Sequence, residues 1–323
     1  MKSNLKTKLL LGAAVTALSF GVSQGAFAAN EFLVDGNDSG SFTTTGPDET
    51  ADTNIDWDAG TNGAGTAVAS HDLGVVASGT IDVNADTTVG DSSSTVAGIT
   101  ATVTGQTLTI TNDANNGATE TLTVANGIGL ASGIAALNVT VNGQTGDNTG
   151  ADVFALDING DVNLGTGTLT FDSDTNANNA MTANIFGDVT ANAIVLKDDG
   201  APITLTFDGT SAQTVSSTIN GETDPDGNMT IANASGVTFS GIIGGSQALD
   251  LITVAAADGT NSAATFKAAT SATAIVLGNG TGSDTNTITF DGTTAGFTVA
   301  GTINGTANDT DNMVVTGGNT ITT

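Results

Sequence analysis

Apolar and threonine side chains alternate in short segments that recur along most of the chain. The period of two places Val, Ile, Leu or Phe on one side of each segment and Thr on the other, as in a strand with one buried face. Asn-Gly pairs between the segments allow sharp corners, because both residues tolerate positive φ. The pattern predicts an all-β chain whose short strands include residues 102–104, 107–110, 121–124, 138–141, 168–171, 204–207 and 287–290.

Four motifs of the C-terminal half recur in the same order 81 to 84 residues further along the chain. Repetition at a fixed spacing is typical of one supersecondary unit stacked on copies of itself. The matched pairs are AIVL at 193–196 and 274–277, T(L/I)TFDGT at 204–210 and 287–293, TING at 218–221 and 302–305, and Asn-Met at 228–229 and 312–313.

Two architectures fit this repetition: a parallel β-helix or β-solenoid of stacked short strands, and tandem β-sandwiches of about 84 residues. We favour the solenoid over residues 71–323, because the strands are short and aromatic residues make up only 4% of the chain. Residues 29–70 carry eight acidic residues among Thr and Gly. We interpret them as an acidic N-terminal cap or a partly ordered segment, since a solenoid needs an atypical terminal unit.

Residues 1–28 have the pattern of a signal peptide. Lys2, Lys6 and Lys8 precede a short apolar stretch, and Ala26-Phe27-Ala28 fits the small-residue cleavage site. The apolar stretch is too short for a spanning helix, which needs about 20 residues. We therefore expect an exported chain, at the cell surface, associated with the outer membrane or extracellular, without a transmembrane segment after cleavage.

Charge narrows the range of partners. The chain has 33 acidic and 5 basic residues and a net charge of −28, and only Lys197 and Lys267 lie beyond the leader. Binding of nucleic acid needs clustered Lys and Arg, so we expect no nucleic-acid partner. We expect a protein or glycan partner at the cell surface, or self-association.

Two segments carry a family resemblance. Residues 237–246, VTFSGIIGGS, resemble the TFSGxIxGSGxL repeat of Gram-negative autotransporter passengers, and residues 316–322, TGGNTIT, resemble the SGxNTYTG part of that repeat. The TLTFDG texture is similar to rickettsial surface antigens. The resemblance implies a passenger domain that serves adhesion, protection or assembly at the cell surface.

The sequence departs from the family pattern in three places. The Lys-x-Gly-x-Gly continuation is absent after Leu249, and Ile321 stands where the second motif has an aromatic residue. The strand pattern of the C-terminal translocator barrel is missing, and the chain has no Tyr. We therefore expect either a truncated passenger or a stand-alone secreted protein of similar build.

Acidic turns are the candidate chemistry. Asp224, Asp226 and Asn228 place oxygen ligands on alternate residues, as at the start of a calcium loop, and Asp309 and Asp311 lie at the equivalent place in the second copy. The bidentate Glu of such loops is missing, since residue 235 is Ser. Ca²⁺ at these residues stays a hypothesis beside the alternative that Asp, Asn and Gly only form turns.

The composition argues against catalysis. The chain has no Cys, and His71 beside Asp72 is its only His, which is weak grounds for a catalytic triad. We expect a non-enzymatic surface protein. A self-assembling surface-layer or filament subunit bridged by calcium is the alternative, and a secreted polysaccharide-active enzyme stays a third possibility.

Overall fold

The structure is a computed structural model. It describes residues 31–34, 39–43, 46–47, 55–57, 72–75, 78–83, 86–90, 97–112, 119–143, 153–173, 180–223, 226–256, 260–278, 284–293, 295–306, 310–317 and 321–322. The predicted signal peptide, residues 1–28, lies outside these ranges, as does His71.

Four short strands lie in the segment that we interpret as a cap: β1 Glu31–Val34, β2 Ser39–Thr43, β3 Gly46–Pro47 and β4 Ile55–Trp57. β1 pairs antiparallel with β4, and β2 pairs antiparallel with β3. The strand pairing of this segment thus differs from the parallel pairing of the strands that follow.

The described part of the chain after this segment is all strand and turn, without a helix. The strands are β5 Asp72–Val75, β6 Gly79–Val83, β7 Thr87–Val89, β8 Ile99–Ala101, β9 Gln106–Thr111, β10 Thr119–Val124, β11 Ile128–Leu130, β12 Leu137–Asn142, β13 Val153–Ile158, β14 Val162–Asn163, β15 Thr168–Asp172, β16 Ala180–Ile185, β17 Val189–Lys197, β18 Ile203–Phe207, β19 Gln213–Gly221, β20 Asn228–Ile231, β21 Val237–Phe239, β22 Leu249–Val254, β23 Ser262–Phe266, β24 Thr270–Leu277, β25 Thr285–Asp291, β26 Phe297–Gly305, β27 Thr310–Thr316 and β28 Ile321–Thr322.

Parallel pairing between successive turns builds a solenoid with three faces. β5, β8, β11, β14, the start of β17, the start of β19, β21, β23, β25 and β27 form the first face. β6, β9, β12, β15 and the ends of β17 and β19 form the second, which continues through Ile243 to the starts of β24 and β26 and to β28. β7, β10, β13, β16, β18, β20, β22 and the ends of β24 and β26 form the third. This parallel stacking confirms the predicted β-solenoid over the tandem sandwiches, whose sheets would be antiparallel.

Inward side chains stack in columns that form one continuous core. On the first face, Val215 is in register with Phe239, Phe239 with Phe266, and Phe266 with Phe290, so a turn takes 24 to 27 residues here. The rings of Phe239 and Phe266 stack with centroids 5.2 Å apart, and those of Phe266 and Phe290 with centroids 5.8 Å apart. These rings are fully buried because the period of two places them inside, and such stacking adds about 0.5–1.5 kcal/mol per pair beyond burial.

Polar side chains tie each turn to the next at the strand starts. The backbone N–H of Asp188 donates to Asp161 Oδ1 at 2.8 Å, and the N–H of Thr214 donates to Asp188 Oδ1 at 2.7 Å. The same bond joins Thr121 to Asp86, Thr168 to Asn138, and Thr285 to Asn261. Asp and Asn therefore satisfy backbone donors of the neighbouring turn as well as forming corners.

The two copies of the sequence repeat do not lie on top of each other. We call residues 193–231 the inner copy and residues 274–315 the end copy. The AIVL motif is on the second face in the inner copy and on the third face in the end copy, and the T(L/I)TF motif moves from the third face to the first. Three turns take 75 residues from Val215 to Phe290, and a spacing of 81 to 84 residues is about a third of a turn longer, so the end copy is rotated by one face.

Within each copy the pairing is the same. AIVL pairs with TING of the next turn, so that Ile194 is in register with Ile219 and Ile275 with Ile303. A register shift precedes AIVL in both copies. The repeat is therefore a pair of stacked turns with its own corner, and the structure contains it in two placements that differ by one face.

Candidate functional site

Asp226, a predicted calcium ligand, lies in the turn between β19 and β20. Its Oδ2 accepts hydrogen bonds from the N–H of Glu222 at 3.1 Å, the N–H of Thr223 at 2.6 Å and the hydroxyl of Thr223 at 3.0 Å. The side chain is 5% exposed. This carboxylate oxygen closes the turn after Gly221, as the alternative interpretation of these acidic residues expects.

Asp311 has the equivalent role in the end copy. Its Oδ2 accepts from the N–H of Thr306 at 2.9 Å, and its Oδ1 accepts from Asn286 Nδ2 at 3.4 Å. Asn286 in turn is the partner of Ser262 at 3.0 Å, so three successive turns are joined by polar side chains. Of the two hydrogen bonds that Asp311 accepts, the one from Thr306 at 2.9 Å is the shorter, and it holds the backbone directly after Gly305.

Asn228 opens β20 and is half-buried, and Asp224 and Asp309 lie outside the described residues. The structure therefore brings Asp226 and Asn228 to one turn but leaves Asp311 in a different one. No group of three His, Cys, Asp or Glu side chains that could hold a metal ion occurs in the part of the chain that the structure describes. Ca²⁺ at these residues stays a prediction.

Beside Asp226, the charges of acidic side chains on neighbouring turns act on the pKa of Asp198. Burial raises the pKa of Asp198, and the charges of Asp226 and Asp250 raise it further, against the opposing hydrogen bond from the Gly200 N–H. The carboxylates at this corner therefore repel one another across successive turns.

Lys197 lies between acidic residues of the turns before and after it. Its Nζ is 2.8 Å from Asp172 Oδ2 and 3.5 Å from Glu222 Oε1. The hydrogen bond to Asp172 raises the pKa of Lys197 above its ordinary value despite partial burial. Asp172 and Lys197 are register partners, so the ion pair runs along the outer surface of the second face. Lys197 thus neutralises charge within the solenoid.

Buried polar side chains in the core are satisfied internally. Gln213 Oε1 accepts from the N–H of Gly209 at 2.9 Å and from Asn233 Nδ2 at 2.8 Å. Gln213 Nε2 donates to the carbonyls of Ile185 at 3.0 Å and Gly187 at 2.8 Å. The amide therefore has all of its hydrogen bonds and joins three turns, which is a structural role rather than a binding site. The sequence offers no signal for this network, because its members lie 4 to 28 residues apart.

Outward-facing threonines are stacked in columns on all three faces, over three or four turns of each. Thr80, Thr109, Thr140 and Thr170 are in register on the second face. The third face carries Thr206, Thr230 and Thr253, and the first carries Thr214, Thr238, Thr265 and Thr289. Adjacent strands lie about 4.8 Å apart, so each column is a regular row of hydroxyl and methyl groups. Each row extends over three or four successive turns.

Apolar side chains are exposed on β27, in the last turn that the structure describes. A cavity of about 580 Å³ there is lined by Leu277, Gly301, Ile303, Gly305, Asp311 and Met313. Met313 is 56% exposed and Val315 is 55% exposed. The sequence alone does not reveal this surface, because the same motifs are buried in the inner copy.

Comparisons with protein-family models, with curated proteins and with solved structures found no match. Within the described ranges, no helix is long and apolar enough to cross a membrane.

Proposed function

We propose that this chain is an exported, non-enzymatic protein of the bacterial cell surface, a passenger-like β-solenoid that serves adhesion or surface structure. The observation that carries the proposal is the set of threonine columns, which present extended ordered rows on every face. Such a surface suits a partner that is bound over many weak contacts, for example an extracellular protein or a glycan.

The hydrogen bonding of buried polar side chains supports the same proposal. The buried amide of Gln213 and the buried carboxylate of Asp226 are both occupied by hydrogen bonds within the solenoid. A catalytic acid or base needs a carboxylate, imidazole or similar group that can reach a substrate. The outer faces are then the surfaces through which the solenoid acts.

Adhesion can be tested one face at a time. The double substitution of Thr140 and Thr170 by Lys changes the second face, and the matched double substitution of Thr238 and Thr265 by Lys changes the first. We expect purified protein to bind host cells or extracellular matrix, and one of the two variants to lose most of this binding while the other keeps it. No binding by the unmodified protein, or equal binding by all three proteins, would contradict the proposal. Circular dichroism checks that both variants fold.

Export can be tested separately. A fusion of residues 1–28 to a reporter should be secreted and cleaved after Ala28, and replacement of Leu9, Leu10 and Leu11 by Asp should retain it in the cell. Protease treatment of intact cells that produce the whole chain measures surface exposure. A chain that is degraded only after lysis would contradict a surface location.

One observation favours the second candidate, a calcium-bridged surface-layer or filament subunit. Asp198, Asp226 and Asp250 of successive turns concentrate negative charge at one corner, which a cation between molecules would offset, although these three carboxylates do not form a metal-binding group by themselves. Calorimetric titration with CaCl₂ should then release heat that is lost in Asp226→Asn, and light scattering should rise with calcium. A titration without heat removes this candidate and leaves the adhesion proposal intact.

A further inference from the structure

One threonine column on the second face has an unbroken register and uncharged surroundings. It crosses β6, β9, β12 and β15 and consists of Thr80, Thr109, Thr140 and Thr170. Val195 takes the next position, on β17, and ends the column. The four threonines are half-buried, and β-branched side chains are stiff at χ1. Each hydroxyl and each methyl group therefore has a fixed place relative to those of the next turn.

The hydroxyls of this column face water rather than protein. Thr102 and Thr111, on the same turns of the solenoid, donate theirs to the carbonyls of Val75 at 3.4 Å and Ile81 at 3.3 Å. None of the four hydroxyls of the column bonds to another group of the residues that the structure describes. A hydroxyl without a protein partner is satisfied by water. The column can therefore bind a row of waters at the interval of the strands.

The column beside it is also uncharged and is held in place by hydrogen bonds. Asn138 is in register with Thr107, and its Oδ1 accepts from the N–H of Thr168 at 3.1 Å. β9 and β12 contain no charged residue, and charge in β6 and β15 is confined to Asp82 and Asp172 near the strand ends. Charged groups order the water around them strongly. A surface built from hydroxyls and amides leaves its waters free to adopt the order of a neighbouring lattice.

The interval of the column is close to a repeat of water in ice. Parallel strands lie about 4.8 Å apart. Waters joined tetrahedrally by hydrogen bonds of about 2.8 Å have second neighbours about 4.6 Å apart. Over the three steps from Thr80 to Thr170 the two repeats separate by only about 0.6 Å. Waters bound to the four hydroxyls can therefore join an ice lattice without leaving their partners.

We propose that the second face from β6 to β15 binds ice through the column of Thr80, Thr109, Thr140 and Thr170 and the uncharged column beside it. The hydroxyls anchor waters at the interval of the lattice, and the methyl groups between them limit competing orientations. Side chains that are already fixed lose little further entropy when their waters are immobilised. Ice affinity needs only the folded chain, so it is independent of the adhesion proposed above.

The first face supplies a matched control. Its column also has four threonines in unbroken register, Thr214, Thr238, Thr265 and Thr289. Here, however, Lys267 and Asp291 follow two of these threonines by two residues along the chain and lie close enough for the charge of Lys267 to lower the pKa of Asp291. These ions order water around themselves. We therefore expect the first face to contribute much less to ice binding.

Incorporation into growing ice tests the proposal. A cooled probe grows an ice layer slowly from a stirred solution of the whole purified chain mixed with albumin, which growing ice excludes. We expect the chain to be enriched in the ice relative to albumin. Thr109→Lys with Thr140→Lys should lose this enrichment. Thr238→Lys with Thr265→Lys adds the same charge to the first face and should keep most of it.

A variant that preserves side-chain shape guards against loss of folding. Thr109→Val with Thr140→Val removes two hydroxyls and keeps the strand preference of both positions. Its enrichment in ice should fall while its circular dichroism stays unchanged. Exclusion of the unmodified chain as complete as that of albumin overturns the proposal, as does equal loss in the two Lys variants or undiminished enrichment of the Val variant. Any of these results leaves adhesion to cells, which is measured separately, unaffected.

Discussion

The inner copy and the end copy contain the same motifs in the same order, yet their side chains have different surroundings. Met229 is fully buried and Met313 is 56% exposed, although both follow Asn in a strand that pairs with T(L/I)TF. Phe207 and Phe290, one turn earlier, are buried in both copies. The difference arises from the next turn, which covers the inner copy and has no described counterpart on the end copy. In a solenoid, burial is a property of neighbouring turns as much as of the strand itself.

The largest contrast is expected for truncation of the two methionines. Met229→Ala should lower the free energy of unfolding by about 2–5 kcal/mol, because it leaves a cavity in the core. Met313→Ala should cost less than about 1 kcal/mol, since the side chain is half exposed in the single chain. Urea unfolding followed by circular dichroism measures the free energy of unfolding of both variants, since the signal reports on the strands of the whole solenoid. Equal destabilisation would show that Met313 is covered in solution.

Part of this picture could be predicted from the sequence. The alternation in residues 204–207 and 287–290 predicted strands with Phe207 and Phe290 inside, and the structure confirms that placement. The rotation of the end copy could not be predicted, because the face that a motif occupies depends on the residues used at every corner before it. The second-face rung at Ile243 is reduced to two isolated bridges, one to Ile219 and one to Thr270, which a strand pattern does not reveal.

The candidate site was predicted less well than the fold. The pattern of alternate oxygens singled out Asp226 but could not show that its carboxylate accepts hydrogen bonds from its own turn. The network around Gln213 has no local signature, since a polar side chain at a strand start resembles any other solvent-facing residue in sequence. Both depend on backbone groups brought together by folding, and a local pattern contains no information on them.

A smaller contrast is expected for the two turn-closing carboxylates. Asp226→Ala should destabilise the solenoid by about 1–3 kcal/mol, because the N–H groups of Glu222 and Thr223 lose a charged acceptor. Asp311→Ala removes one bond to a backbone N–H at the more exposed end copy and should cost about 0.5–1 kcal/mol. Thermal unfolding of both variants at one pH gives the comparison. The reverse order would indicate that the hydrogen bonds which Asp226 accepts stabilise the solenoid less than the one from Thr306 to Asp311.

The smallest contrast concerns the equivalent aspartates of the T(L/I)TFDGT motif, Asp208 and Asp291. Their pKa values are shifted in opposite directions in the two copies. Burial raises the pKa of Asp208 in the inner copy. Hydrogen bonds from the side chain and the backbone of Thr293, and one from Thr316, lower the pKa of Asp291 in the end copy, with the charge of Lys267 acting in the same direction.

The signs of the two effects follow from linkage. A folded pKa above the unfolded value of 3.8 means that Asp208 contributes stability at low pH, and that this contribution is lost as pH rises through the folded pKa. A folded pKa below 3.8 means that Asp291 contributes stability at neutral pH, which is lost as pH falls through the folded pKa. Asp208→Asn should therefore raise the melting temperature at pH 7, and Asp291→Asn should lower it. Both changes are expected to be small, because solvent screens carboxylates at the surface.

Each variant removes one negative charge from a strongly acidic chain, so the general relief of repulsion is the same in both and cancels in the comparison. The difference between their melting temperatures should shrink as pH falls through 3.8 and then through the lower folded pKa of Asp291, below which both carboxyl groups are protonated in the folded and unfolded chains. A difference of the same size at every pH would mean that it comes from the hydrogen bonds of the amide rather than from ionisation. Shifts of equal sign and size at pH 7 would mean that the two copies give this residue the same environment, contrary to their different neighbours.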